Sequence, residues 1–467
     1  MIDIYNIFNG IMMNLKHFIT EYDESLSSEL SIDPLGQLII WSSFGQQIFC
    51  NRISSVANDV RHYTLNLLHH YVIRSVLYGE NTKLGAALQK KYDGKSDLKL
   101  KHACLIFLEN IYTLSMCYSQ GKSGVVTTGV LGIVKARDKF AKSDNNPQLI
   151  FGNDADSQLL TQQLFLGTNG RYKTPMMNMH FFDNKYNYHL SDGISAWKLA
   201  GDFILNTPHL KKLFYALCTY LRAQLSVLRQ SELTIRFFDI DSKLTQSYVQ
   251  SFRSVAFVGR YAKDFWLKMT RLQEGASGVL YDVLELESSN QKMAVEDIYQ
   301  QALSRCHDAD DRARLQHIVH VEPLLAGITL LFSGLLQHKK QTLENMCQFW
   351  AARGLDKDTL PKCADPVIND KTLLSVLSGT AYTRLEQLIK VAKASSVTEQ
   401  IKALLKYHES VMQGRGQLPW LTLSGETLTL QVPVRALRAD RRNEDWVNDY
   451  YISQFRHMLQ GLWGKDQ

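Results

Sequence analysis

Apolar residues recur along most of this chain at the three- and four-residue intervals of a helix. Residues 52–79, RISSVANDVRHYTLNLLHHYVIRSVLYG, contain no proline and no glycine before Gly79, which predicts one long helix stopped by that glycine. Leu65, Leu68 and Val72 fall on one side of it, Leu67 and Tyr71 on another, so most of its circumference is apolar. A helix of that kind packs in a core. His62, Asn66, His69 and Ile73 share a stripe, but His62 and His69 are two turns apart, about 10.5 Å, which is too far to hold one metal together.

Segment 96–121 opens on the capping pair Ser96-Asp97 and stops at Gly121. Segment 207–230 opens on Thr207-Pro208, the residue types favoured at the N-cap and first helical position. Residues 323–336, PLLAGITLLFSGLL, hold an apolar run of about thirteen residues, below the roughly 18–20 that span a bilayer. This predicts a buried helix bounded by Glu322-Pro323 in front and His338-Lys339-Lys340 behind. From Asn443 as cap, Ile452, Phe455, Leu459 and Leu462 line one face of a final helix.

Strand patterns are few. LTIRFFDI (233–240) is rich in β-branched and aromatic residues. In WLTLSGETLTLQV (420–432), apolar and polar residues alternate on both sides of Ser424-Gly425, which predicts a hairpin. The pattern as a whole predicts a mainly α protein of several helical subdomains with a small C-terminal β-hairpin; a helix before the hairpin and arginines after it suggest a winged-helix-like arrangement, against the plainer reading of a hairpin that simply closes a helical domain. Breaks near 142–148 and 354–366 suggest domains over 1–145, 146–345 and 346–467.

Composition supports this reading. The 467 residues are 45% apolar and 21% charged, ordinary for a globular chain, and only 9 are proline, which favours long helices. The seven cysteines are scattered and form no CxxC pair, so neither a disulfide scaffold nor a cysteine zinc site is expected. The N-terminal stretch carries Asp3 and no basic leader. A cytoplasmic protein without a membrane anchor is the expectation.

Charge changes the picture more. The chain has a formal charge of +6, yet residues 81–142 hold eleven bases against four acids, so everything else balances to about −1. Phosphate neutralisation needs several cations on one surface. Lys90, Lys91, Lys95, Lys99, Lys101, Lys135, Arg137, Lys139 and Lys142 are therefore candidate nucleic-acid contacts, and Arg438, Arg441 and Arg442 beyond the hairpin form a second group. A plain solvated helix face would look the same. The acid-rich stretch 20–33 could dock on a basic partner.

Motifs for chemistry are weak. Gly121-Lys122-Ser123 resembles part of a phosphate loop, but Met116 stands where the first glycine is needed. Asp239 and Asp241 could hold a divalent ion, with Lys243 nearby; Asp241-Ser242 also reads as a helix cap. His317 and His320 are three residues apart, beside acids that suit a helix start. No cofactor is implied by any of these.

A resemblance adds context. Asp33-Pro34-Leu35-Gly36, Ile40-Trp41, Phe44-Gly45, and then Asp59, Arg61 and Tyr63 resemble the opening of helical proteins of bacterial antiphage and antiplasmid defence systems, and look like the accessory subunit of Lamassu-type systems. Segments 164–183 and 446–455 look like further blocks of that family. The resemblance implies a bacterial, cytoplasmic, complex-forming protein that partners an SMC-like ATPase and a nuclease. It transfers no catalytic residue. The expectation is a non-enzymatic accessory subunit that bridges those partners and contacts DNA. Two alternatives stand beside it: a metal-dependent nuclease built on Asp239 and Asp241, and a scaffold that binds only proteins.

Overall fold

The computed structural model describes residues 33–79, 82–188, 193–226, 233–287 and 292–465. The acidic stretch 20–33 lies outside them except for Asp33. The architecture is mainly helical, with a few short antiparallel strands.

In chain order the helices are α1 (Leu38–Phe49), α2 (Val60–Leu77), α3 (Ala86–Lys91), α4 (Leu98–Tyr118), α5 (Ile133–Lys142), α6 (Gln163–Leu166), α7 (Thr168–Asn178), α8 (Gly193–Asn206), α9 (Pro208–Ser226), α10 (Ser242–Phe252), α11 (Val255–Thr270), α12 (Gly275–Glu285), α13 (Val295–Arg305), α14 (Ala309–Leu335), α15 (Leu343–Ala352), α16 (Thr359–Asn369), α17 (Gly379–Ala392), α18 (Val397–Gln413) and α19 (Ile452–Leu462). Strands β1 (Gln148–Phe151) and β2 (Leu233–Arg236) pair antiparallel, with Gln148 opposite Arg236. Strands β3 (Lys340–Thr342), β4 (Leu421–Ser424) and β5 (Thr427–Leu430) form a second sheet in the order β3-β5-β4.

The chain divides differently from three consecutive blocks. It makes two compact units that interleave. The first takes residues 51–271 and 453–465; the second takes 33–50 and 272–452. The cuts suggested near 145 and 345 fall inside these units. At or next to the three crossovers among the described residues the backbone is left-handed on residues other than glycine: Cys50 and Asn51, Arg271, and Tyr450 and Tyr451.

In the first unit α2 is the central element. It packs against α4, α7, α8, α9 and α11, and all of it is buried except Tyr71, Arg74 and Ser75. The predicted helix over 52–79 starts later than its sequence suggests, because Asp59 caps it by accepting from the Arg61 backbone N–H at 2.7 Å. Residues 52–58 run through bends and irregular backbone instead. Helices α4 and α9 begin where their caps predict, at Leu98 after Asp97 and at Pro208. Only the first half of 233–240 is strand; Phe237–Asp239 turn into a short 3-10 helix.

In the second unit α14 is central, packed on α1, α12, α13, α15, α16 and α17. It runs from its Asp308 cap straight through Pro323, so the expected closure at Glu322-Pro323 is corrected. Packing on six neighbours outweighs the one N–H that proline withholds, about 3 kcal/mol. Among the described residues α14 alone is long and apolar enough to cross a membrane, and two thirds of its apolar window is buried against protein. The hairpin forms as predicted, with Leu428 and Leu430 buried and Gly425 at φ +58° in its two-residue turn.

The last helix begins at Ile452 rather than Asn443. The Glu322 carboxylate, fully buried, takes the N–H groups of Val447 (2.6 Å) and Asn448 (3.0 Å) and the Tyr450 hydroxyl (2.6 Å). A distant acceptor thus holds 447–450 in an irregular path. Asn443, expected as the cap, instead accepts from Arg353 Nε at 2.8 Å.

Candidate nucleic-acid interface

The eleven bases of 81–142 do not form one surface. Helix α4 has 21 residues and is about 31 Å long, and it separates two groups. At its N-terminal end, Lys90, Lys91 and Lys99 are exposed and Lys95 is half-buried. Lys91 pairs with Asp154 at 3.7 Å, and Lys95 reaches the Gly79 carbonyl at 3.4 Å. Lys101 is not on the surface, a correction to its place among the candidates. Its ammonium is buried, donates to the Tyr186 carbonyl at 2.8 Å and lies 5.5 Å from the Tyr188 ring. One turn after the cap, its position on α4 turns into the core.

The C-terminal end of α4 is built differently. Four aromatic rings meet there. Phe140 of α5 and Phe237 lie beneath, 8% and 2% exposed, with centroids 5.4 Å apart. Above them Tyr118, the last residue of α4, and Phe238 are each 51% exposed, with centroids 5.4 Å apart. The Phe238 backbone is pinned: its N–H donates to Asn146 Oδ1 at 3.0 Å.

Cations surround this platform. Lys122 places its ammonium 5.2 Å from the Tyr118 ring. Arg137 holds Gln120 at 2.9 Å, two residues beyond Tyr118. Lys135 and Lys142 are exposed on α5, Lys139 is half-buried, and none of the three has an ion-pair partner among the described residues. Burial lowers the Lys139 ammonium from its ordinary pKa. The segments that build this end, 118–144 and 236–243, hold seven cations against four carboxylates. The end therefore presents rings for stacking and unneutralised charge for phosphate.

The aromatic half of this arrangement was not foreseen from sequence. RFFD suggests continuing strand, and Tyr118 sits in an apolar helix. The available signal was two adjacent phenylalanines in a strand that would have to put one of them outward.

The second basic group is placed otherwise. Arg438 pairs with Asp440 at 3.2 Å, and Arg442 with Asp445 at 2.8 Å. Arg441 is drawn into the second unit, its carbonyl accepting from Arg353 at 2.6 Å. These three and Arg435 border a cavity of about 900 Å³, where they meet as many carboxylates: Asp33, Glu296, Asp445 and Asp449. The cavity is electrically balanced, unlike the end of α4. The helix before the hairpin does not complete a basic wing either. The acids and lysines of α18 are Glu399, Lys402, Lys406 and Glu409, which balance, and Lys402 pairs with Glu399 at 3.2 Å.

The acids weighed for metal chemistry serve the backbone. Asp239 accepts the Arg236 N–H at 3.1 Å and Asp241 accepts the Lys243 N–H at 2.9 Å, capping α10. His317 and His320 both approach Asp370, at 3.8 and 3.1 Å. Among the described residues no group of three or more His, Cys, Asp or Glu is placed to hold a metal ion.

The histidines of α2 face protein. His69 meets the Tyr248 hydroxyl at 2.9 Å, and His70 bridges the Tyr188 hydroxyl (2.7 Å) and Asn169 (3.0 Å). Burial holds His69 and His70 down to about 3, and His62, beside Asp59, down to about 4. Arg61 donates to the carbonyls of Val126 and Thr128, at 2.8 and 2.7 Å. The glycine-rich stretch 119–129 is thus a loop tied to α2.

No family model, curated protein or solved structure is similar to this chain.

Proposed function

We propose that this chain is a non-enzymatic accessory subunit of a bacterial defence complex that contacts DNA through the basic surface at the C-terminal end of α4. The observation that carries the reading is the group of exposed or half-buried, unpaired ammoniums on α5, beside Lys122 and the exposed rings. Phosphate contacts need cations that are not already neutralised, and this end has them while the arginine segment 438–442 does not. The resemblance of 31–74 to Lamassu-type accessory subunits supplies the partners: an SMC-like ATPase and a nuclease, which the chain would bridge.

The test is DNA affinity against salt. Affinity should fall steeply between about 50 and 200 mM salt, and each phosphate-contacting lysine that is reversed should reduce the log–log slope by about one. Replacing Lys135, Lys139 and Lys142 with Glu should weaken binding and flatten that slope. Reversing Arg438 and Arg442 should do neither. DNA affinity that ignores both salt and the α5 lysines would overturn the proposal. Co-purification with the ATPase and nuclease after nuclease digestion checks the bridging role separately.

A further inference from the structure

We infer that the aromatic platform at the end of α4 takes single-stranded DNA, with bases stacked on Tyr118 and Phe238 and the backbone held by the surrounding lysines. The inference rests on reading this end as a DNA-contacting surface and specifies the form of DNA. Base faces are hidden within a duplex and open in a single strand, so exposed rings beside cations gain stacking only from unpaired bases. A surface made for duplex backbone alone would need only the cations.

The construction points the same way. Phe140 and Phe237 are buried and brace the two outer rings from below. The Asn146 side chain fixes the Phe238 backbone in a 3-10 turn. Two aromatic side chains half open to solvent are thus held on rigid elements, which lowers the ordering cost of binding. Arg236, exposed next to this turn, and Lys122 over the Tyr118 ring place positive charge on two sides of the platform. Asp138, Asp144, Asp239 and Asp241 are also exposed here, and Asp239 and Asp241 are engaged by backbone N–H groups.

The experiment uses the full chain and a fluorescein-labelled oligothymidylate, a hairpin duplex and an oligouridylate, followed by anisotropy at matched salt. The oligothymidylate should bind more tightly than the duplex. Phe238→Ala and Tyr118→Ala should each weaken oligothymidylate binding by about fivefold to a hundredfold and leave duplex binding unchanged. Phe238→Trp should retain affinity, and its added fluorescence should be quenched by the oligothymidylate and not by the duplex. Thermal unfolding of Phe238→Ala should match the parent, since the ring is half exposed. Duplex preferred over single strand, unchanged affinity in Phe238→Ala, or strong preference for the oligouridylate would each overturn the inference. Salt-dependent duplex binding that the α5 lysine reversals abolish would still leave the DNA-contacting reading standing. No salt-dependent binding to any of the three would remove both.

Discussion

Arg61 Nη2 donates to the Thr128 carbonyl at 2.7 Å, so a fully buried guanidinium on the central helix anchors a loop that carries Lys122. The second nitrogen of the same fork reaches Val126 at 2.8 Å, and Asp59 lies 3.9 Å away.

Replacing Arg61 should therefore loosen the loop and strain the core together. Arg61→Ala leaves the buried Asp59 without its cation and should cost about 3–5 kcal/mol of unfolding free energy. Arg61→Lys keeps a charge but cannot fork to two carbonyls, so an intermediate loss is expected. Denaturant midpoints and the rate of tryptic cleavage at Lys122 measure both effects. An Arg61→Lys protein equal to the parent in both would contradict this role.

Acid should destabilise the first unit through α2. His62, His69 and His70 are held neutral by burial, at about 4, 3 and 3, below the ordinary value near 6.5. The unfolded chain therefore takes up their protons first as pH falls. Their contribution is complete above pH 6.5 and is lost progressively toward pH 4 and below. Each adds a slope of about 1.4 kcal/mol per pH unit in that window, so the three together give about 4. His69→Gln keeps a hydrogen-bonding side chain for Tyr248 but does not titrate. It should reduce the slope by about one third, as read from urea unfolding at a series of pH values.

Gly259 of α11 lies against α19. A Cβ built there would come 1.7 Å from the Gly461 carbonyl, a clash with backbone that no rotamer relieves. Gly259→Ala should lower stability by about 1–3 kcal/mol or more, as overpacking does. Gly94→Ala, where nothing lies within 4 Å but φ is +77°, offers a control in which only backbone strain acts. A Gly259→Ala melting temperature no lower than that control would argue against close helix contact.

Glu322→Ala should free residues 447–450. The substitution removes the acceptor for two backbone N–H groups and the Tyr450 hydroxyl, leaving buried donors unpaired at about 1–3 kcal/mol each before relaxation. Amide exchange at Val447 and Asn448 should accelerate markedly, while β5 keeps its protection. Unchanged exchange at both amides would count against Glu322 as their anchor.

Legibility from sequence followed the range of the interactions. Asp97 and Pro208 mark the starts of α4 and α9 because capping and φ restriction act within a turn. The hairpin was readable because alternation and Gly425 are local. The late start of α19 was not, since Glu322 captures N–H groups from more than a hundred residues away. The inward Lys101 was hidden for a similar reason: its partners Tyr186 and Tyr188 come from another part of the chain. Of the candidate interface, the lysines of α5 were visible as composition. The aromatic platform was not, because Tyr118, Phe140 and Phe238 meet only through tertiary packing.

The interleaving of the two units sets an order of manufacture. Residues 51–271 leave the ribosome before 272–452, yet their unit takes its helix α19 only after 272–452 have been made. Until then the side of α11 at Gly259 has no Gly461 to meet. A chain halted before residue 452 would therefore carry an unfinished first unit however well the second had folded, so α19 must be made before either end of α4 is displayed on a completed body.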